Sequence, residues 1–173
     1  HDALRPLVRL LSSALREIRL PAVGALLHAT TLESTNQAKC RQLAAVVPLT
    51  LLLEQAVDAA DAEMQLRAAG CLSNLVTDAI AATQLLGSSA GLAPLVACIG
   101  TADMRLKRPA AACIFNCSIS DPASTAELAS CGAWPPLVEL LALDGAKADL
   151  LTWAAGTLLN SAATVDGLDV AEL

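Results

Sequence analysis

The sequence predicts an all-α fold, a solenoid of three-helix repeats, on three observations. Four proline-led apolar segments, RPLVRLL, VPLTLLL, APLVACI and PPLVELL, place Pro6, Pro48, Pro94 and Pro136 at intervals of 42, 46 and 42. Four small-residue-rich amphipathic stretches carry a polar signature residue, His28, Asn74, Asn116 or Asn160, at intervals of 46, 42 and 44. Self-similarity at such a period marks stacked supersecondary units, each too small to bury its apolar face alone. No period-two alternation competes, and Phe115, Trp134 and Trp153 are the only aromatics, so the interior must be built from Ala, Leu, Val, Ile and Cys.

Taken in order, the chain opens on a proline helix over residues 4–12 and a longer helix over 20–32 that carries His28. Ser34 or Thr35 then caps a short helix in NQAKCRQL, and the second proline helix runs over 48–57. LRAAGCLSNLVTD, residues 66–78, is the third helix of that unit. Asp78 caps AIAATQLL, Gly87, Ser88, Ser89, Gly91 and Pro94 form a turn, and the third proline helix covers 94–99. LKRPAAACIFNCSIS (106–120) repeats the signature helix, Asp121 with Pro122 opens ASTAELAS, the fourth proline helix covers 136–143, and LLTWAAGTLLNSAAT (150–164) repeats the signature again. The units are expected at 1–33 (partial), 34–77, 78–120, 121–163 and 164–173 (the start of another), all within one array.

The register also says where length varies. From signature residue to following proline the distance is 20 each time, whereas from proline to signature it is 22, 26, 22 and 24. The extra length is expected in the connections near 59–63 and 144–148. Pro21 and Pro109 share a register, seven residues before His28 and Asn116, which predicts a first-turn position or a kink, because proline inside a helix costs about 3 kcal/mol.

Composition narrows the function classes. A net charge of −6 with 16% charged residues argues against wholesale binding of nucleic acid or an anionic membrane. The uncharged run 79–102 is long enough to suggest a membrane span, but the glycine and serine cluster at its middle reads as a turn between two helices. Six cysteines make no CxxC pair, and with two histidines the chain lacks the usual zinc spacing. Reduced, buried thiols are expected, and with them a reducing compartment, cytoplasm or nucleus. There is no identifiable nucleophile beside His28, no Gly-rich phosphate loop and no tyrosine, so neither catalysis, a cofactor nor a small-molecule substrate is expected. His1 and Asp2 lead into an amphipathic segment rather than a signal peptide, and the lack of an initiator Met is expected of a piece of a longer array.

The proline segments and the signature stretches resemble the armadillo repeat, with its second helix of the form PLVxLL and its third ending in AAGxLxNL. LRAAGCLSNLVTD is closest to that pattern, the Asn116 and Asn160 units follow it clearly, and the His28 unit more loosely; HEAT repeats are the alternative. The resemblance covers residues 3–173 and implies a right-handed superhelix whose third helices line a concave groove, with Asn74, Asn116 and Asn160 pairing with the backbone of an extended peptide. An asparagine near a helix end can instead bond neighbouring turns. Importin-α-like arrays place Trp four residues before the asparagine to sandwich lysine stems; Gly24, Gly70, Ala112 and Gly156 stand there, which speaks against recognition of nuclear signals.

If a groove ligand exists, positions one, two and three turns before each signature residue line it: Arg67, Gly70 and Asn74; Arg105, Arg108, Ala112 and Asn116; Asp149, Trp153, Gly156 and Asn160. A partner with acidic residues facing Arg105 and Arg108 would fit, against the commoner reading of solvated charge pairs. The leading expectation is a non-catalytic protein-interaction scaffold. Alternatives are a structural segment of a large ciliary or cytoskeletal assembly, and the substrate-recognition part of a ubiquitin ligase or a chaperone cofactor. With uncapped faces at both ends, the isolated chain is expected to be aggregation-prone.

Overall fold

Eleven helices and no strand are found among residues 3–164, the part of the chain that the computed structural model describes. Four of them are signature helices: α2 (Arg16–Thr30), α5 (Ala62–Leu75), α8 (Met104–Ser120) and α11 (Ala148–Thr164). Each is preceded by a proline helix: α1 (Leu4–Leu10), α4 (Val46–Asp58), α7 (Ala93–Gly100) and α10 (Trp134–Leu141). The short helices α3 (Ser34–Gln42), α6 (Ala79–Leu86) and α9 (Ala123–Ser130) complete the order. The run 79–102 is thus two helices separated by a turn, and no single helix among the described residues is long and apolar enough to cross a membrane.

The signature helices stack on one another in sequence, α2 on α5, α5 on α8 and α8 on α11, and each packs on the proline helix before it. Close approach is possible because the touching positions are small: Ala68, Ala69, Ala110, Ala111 and Ala154 are wholly buried. One continuous apolar core runs from Leu4 to Ala154, made of Leu, Ile, Val, Ala, Met and Cys; Trp134 and Trp153 pack only at its margin. Five cysteines lie buried in it as free thiols, where a thiol acts as a small hydrophobe, and Cys131 is half-buried.

Start signals are read locally. Asp61, Asp78, Asp103 and Asp121 accept backbone N–H groups of Met64, Ala81, Arg105 and Ala123, satisfying donors that a helix start leaves open. At α3 the expected cap differs: Ser34 is already helical and Glu33 precedes it without a side-chain cap bond. The proline helices also begin before their prolines, at Leu4, Val46, Ala93 and Trp134, because a proline in the first turn has no N–H to lose. Pro21 and Pro109 each stand sixth in their helices, past the first turn, and so remove one backbone bond inside α2 and α8.

Helix starts locate the length variation. The first residue of every signature helix (Arg16, Ala62, Met104, Ala148) lies 12 before its signature residue, so these helices are constant. In the second unit the extra four residues extend α4 to Asp58, rather than lengthening the connection near 59–63 as the spacing predicted. In the fourth unit the extra two do enter the connection, residues 142–147. The turns before the proline helices are held short by a left-handed residue three or four positions ahead of the proline: Ala44 (φ 55°), Gly91 (φ 51°) and Gly132 (φ 69°).

Candidate functional site

The three asparagines form a ladder. Asn74 Nδ2 donates to Thr30 Oγ1 at 3.2 Å, Asn116 Nδ2 to the Val76 carbonyl at 2.8 Å, and Asn160 Nδ2 to Ser118 Oγ at 3.0 Å. In each case the acceptor belongs to the residue two past the preceding signature position. Each asparagine therefore staples its signature helix to the end of the one before, using one of its two amide hydrogens. His28 donates from Nδ1 to the Gly24 carbonyl one turn back, at 2.8 Å.

The positions four residues before the signature are occupied from neighbouring helices. A Cβ on Gly70 would stand 3.0 Å from Leu27 Cδ1, one on Gly156 2.4 Å from Phe115 Cε2, and one on Gly24 2.5 Å from Arg67 Nη1. Leu27 and Phe115 are the residues just before His28 and Asn116, so each plugs the station of the next helix. Arg67 is folded back into the place above Gly24, donating Nη1 to the Leu20 carbonyl at 3.0 Å and pairing with Glu63. Gly70, Gly156 and Arg67 are thereby committed to packing between units.

At Ala112 the station is open. A groove of about 730 Å³ lies there, between Leu66, Ser73 and Asn74 of α5, the Met104–Ala112 stretch of α8, and Lys147, Leu150 and Trp153 around the start of α11. It holds Asn74, Arg105, Arg108 and Trp153 from the sequence-derived set; Arg67, Gly70, Asn116 and Asn160 do not line it. Sequence reasoning missed the other lining residues Leu32, Leu66, Ser73, Met104, Pro109, Gly145, Lys147 and Leu150. For Met104 and Lys147 no motif signal existed, because their places depend on how one helix start sits beside the next. A smaller cavity of about 290 Å³, lined by Leu11, Arg19, Pro48 and Gln55 among others, lies at the α1–α2 junction.

Charge at the groove is one-sided at the surface and compensated beneath. Every charged residue lining it is basic: Arg105, Arg108 and Lys147. Arg108 donates Nε to Asp149 Oδ2 at 2.8 Å, pairs with it again through Nη2, and lies 5.8 Å from the centroid of the Trp153 ring. Arg105 donates Nη2 to Asp103 Oδ2 at 2.7 Å. The Arg105 hydrogen bond holds the Asp103 carboxyl down to about 2, and the Arg108 hydrogen bond likewise lowers that of Asp149. No group of three or more His, Cys, Asp or Glu is placed to hold a metal among the described residues.

The stacked helical array superposes on solved armadillo structures over most of its length. A computationally designed armadillo repeat protein for modular peptide recognition superposes with TM-score 0.75 at 29% identity, over 91% of this chain and 64% of that one. The designed armadillo repeat protein YIII(Dq)4CqI gives 0.73 at 25%, over 91% and 63%. This chain folds as an armadillo-like repeat protein. Another designed armadillo protein, solved in complex with the peptide (KR)4, gives 0.72 at 23%, over 92% and 64%. The array thus spans just under two thirds of the length of these designed relatives. No family model matches the sequence, and no curated protein matches it significantly. The armadillo-like fold suggests a protein-binding scaffold.

Proposed function

We propose that this array is a non-catalytic scaffold that binds an extended segment of another protein across α5, α8 and α11. The observation that carries the reading is the open groove above Ala112, in an array whose other stations are filled by Arg67, Leu27 and Phe115. It combines an apolar floor with donors and acceptors at its rim, the mixture that fixes both affinity and orientation of a bound chain. Asn74 contributes a side-chain carbonyl and a second amide hydrogen beyond its bond to Thr30. On the first and second helices of the units, the exposed large apolar side chains among the described residues are Leu10, Ile80, Val138 and Leu141, which would serve lateral packing in a larger assembly and are divided among α1, α6 and α10. That division favours the groove over the outer face.

A displayed library of random peptides, panned on the 173-residue chain and counter-selected on its Ala112→Trp variant, tests this. Peptides that bind the chain and lose binding when the indole fills the groove are the expected result. Recovery of none, or of peptides indifferent to Ala112→Trp, would remove the groove from the function.

A further inference from the structure

We infer that the groove is a short, acid-selective site, taking a segment that presents one carboxylate beside a large apolar side chain; this rests on the groove reading above. The plugs set the length. With Leu27 seated over Gly70 and Phe115 over Gly156, the open run centres on the Ala112 station and reaches from Leu32 to Trp153, room for a few residues rather than a long peptide. The (KR)4 peptide of the designed relative is basic throughout; the groove here has the opposite preference.

Two arrangements set the charge. In a chain of net charge −6, the charged residues lining the groove are Arg105, Arg108 and Lys147. Asp103 and Asp149 engage the Nε and Nη2 atoms of the two arginines, and the Nη1 atoms carry no protein hydrogen bond among the described residues. A guanidinium has five N–H donors in a rigid plane, so an edge of each remains to grip a carboxylate. The arginine side chains keep 70% and 56% of their exposure, and exposed ion pairs of this kind contribute little because water competes for both charges. An incoming carboxylate can therefore join or replace the internal aspartate at little cost. Trp153, with its ring centroid 5.8 Å from Arg108 Cζ, joins Leu66, Met104 and Leu150 to give the neighbouring apolar side chain its floor. A lysine or arginine in the ligand would instead meet three cations, with Asp103 and Asp149 already engaged by two of them.

Fluorescence anisotropy with three labelled octapeptides of alternating Glu–Leu, Gln–Leu and Lys–Leu tests the charge rule on the whole chain. The expected result is Glu–Leu tighter than either of the others by roughly tenfold, with the gap narrowing as salt shortens the screening length. Arg108→Gln and, separately, Arg105→Gln should reduce that gap, while Arg9→Gln on α1 should leave it. Circular dichroism of each variant verifies that it is folded. Equal affinities, preference for Lys–Leu, no binding of any probe, or a gap that survives both groove variants would overturn the inference. Library panning separates this from the broader reading: basic or neutral peptides that depend on an open Ala112 station would sink acid selectivity and leave the scaffold standing.

Discussion

Replacing Asn116 with alanine should destabilise the array more than the same change at Asn74 or Asn160, and the reason lies in the acceptors. Asn116 Nδ2 is bonded to the Val76 carbonyl at 2.8 Å, at the C-terminal end of α5, and Val76 is wholly buried. Asn116→Ala takes away the amide that pairs this buried residue's carbonyl, at about 1–3 kcal/mol. Asn74 and Asn160 instead donate to the hydroxyls of Thr30 and Ser118, which keep their own bonds to the Leu26 and Phe115 carbonyls at 2.8 Å. Losing the asparagine there removes one ordinary bond, about 0.5–1.5 kcal/mol. For a chain of this size each kcal/mol moves the melting point by about 2–4 °C, so Asn116→Ala should lower Tm by about 2–12 °C. Asn116→Asp should be at least as damaging near neutral pH, since a carboxylate would face the Val76 carbonyl with no proton to offer. Thermal unfolding of the three alanine variants, followed by far-UV circular dichroism, measures the order. Equal melting points for Asn116→Ala and the unsubstituted chain would refute the ladder as a structural device.

Three further outcomes are expected. Asp103 should titrate near 2 in a carboxyl-resolved NMR experiment, against an ordinary value of 3.8, and Arg105→Ala should return it towards that value. Because the folded value is the lower one, this pair favours the folded state above about 3.8, and that contribution disappears as the pH falls through about 2. Native-state alkylation read by mass spectrometry should label Cys131 first, since it alone is not fully buried, while burial raises Cys98 to about 11 and holds it as the unreactive thiol; prior labelling of Cys71 or Cys98 would contradict the core packing. Gly91→Ala should cost about 1–2 kcal/mol for its left-handed φ of 51°, plus the 2.5 Å bond from Leu92 N–H to Glu127, because the new Cβ would fall 1.7 Å from Glu127 Oε1. In the Glu127→Ala background only the backbone part of that cost should remain, which urea titration of the four chains resolves.

Helix order and the core-facing stretches of residues 3–164 were legible in the sequence because a solenoid writes them periodically: prolines near the start of each second helix, small residues where helices touch, asparagines at one register; the expected start of a further unit at 164–173 lies outside the described residues. The extra turn of α4 was not. Four added residues rotate a helix face by only about 40°, so they can extend the helix with its apolar stripe still inward. Two added residues rotate it by about 200°, so in the fourth unit they go into the connection instead. Spacing alone does not distinguish a longer helix from a longer loop; packing decides.

For the site the division falls elsewhere. By itself the sequence determined that Asn74, Asn116 and Asn160 share one face with Arg105, Arg108 and Trp153, and that glycine or alanine precedes each asparagine by one turn. Only the tertiary structure decided what those small residues are for. Leu27, Phe115 and Arg67 lie about one repeat away from the glycines they cover, and which rotamer each adopts depends on the spacing of two stacked helices. That spacing turned three of four stations into packing and left a single opening at Ala112, where the arginines keep a free edge over an apolar floor.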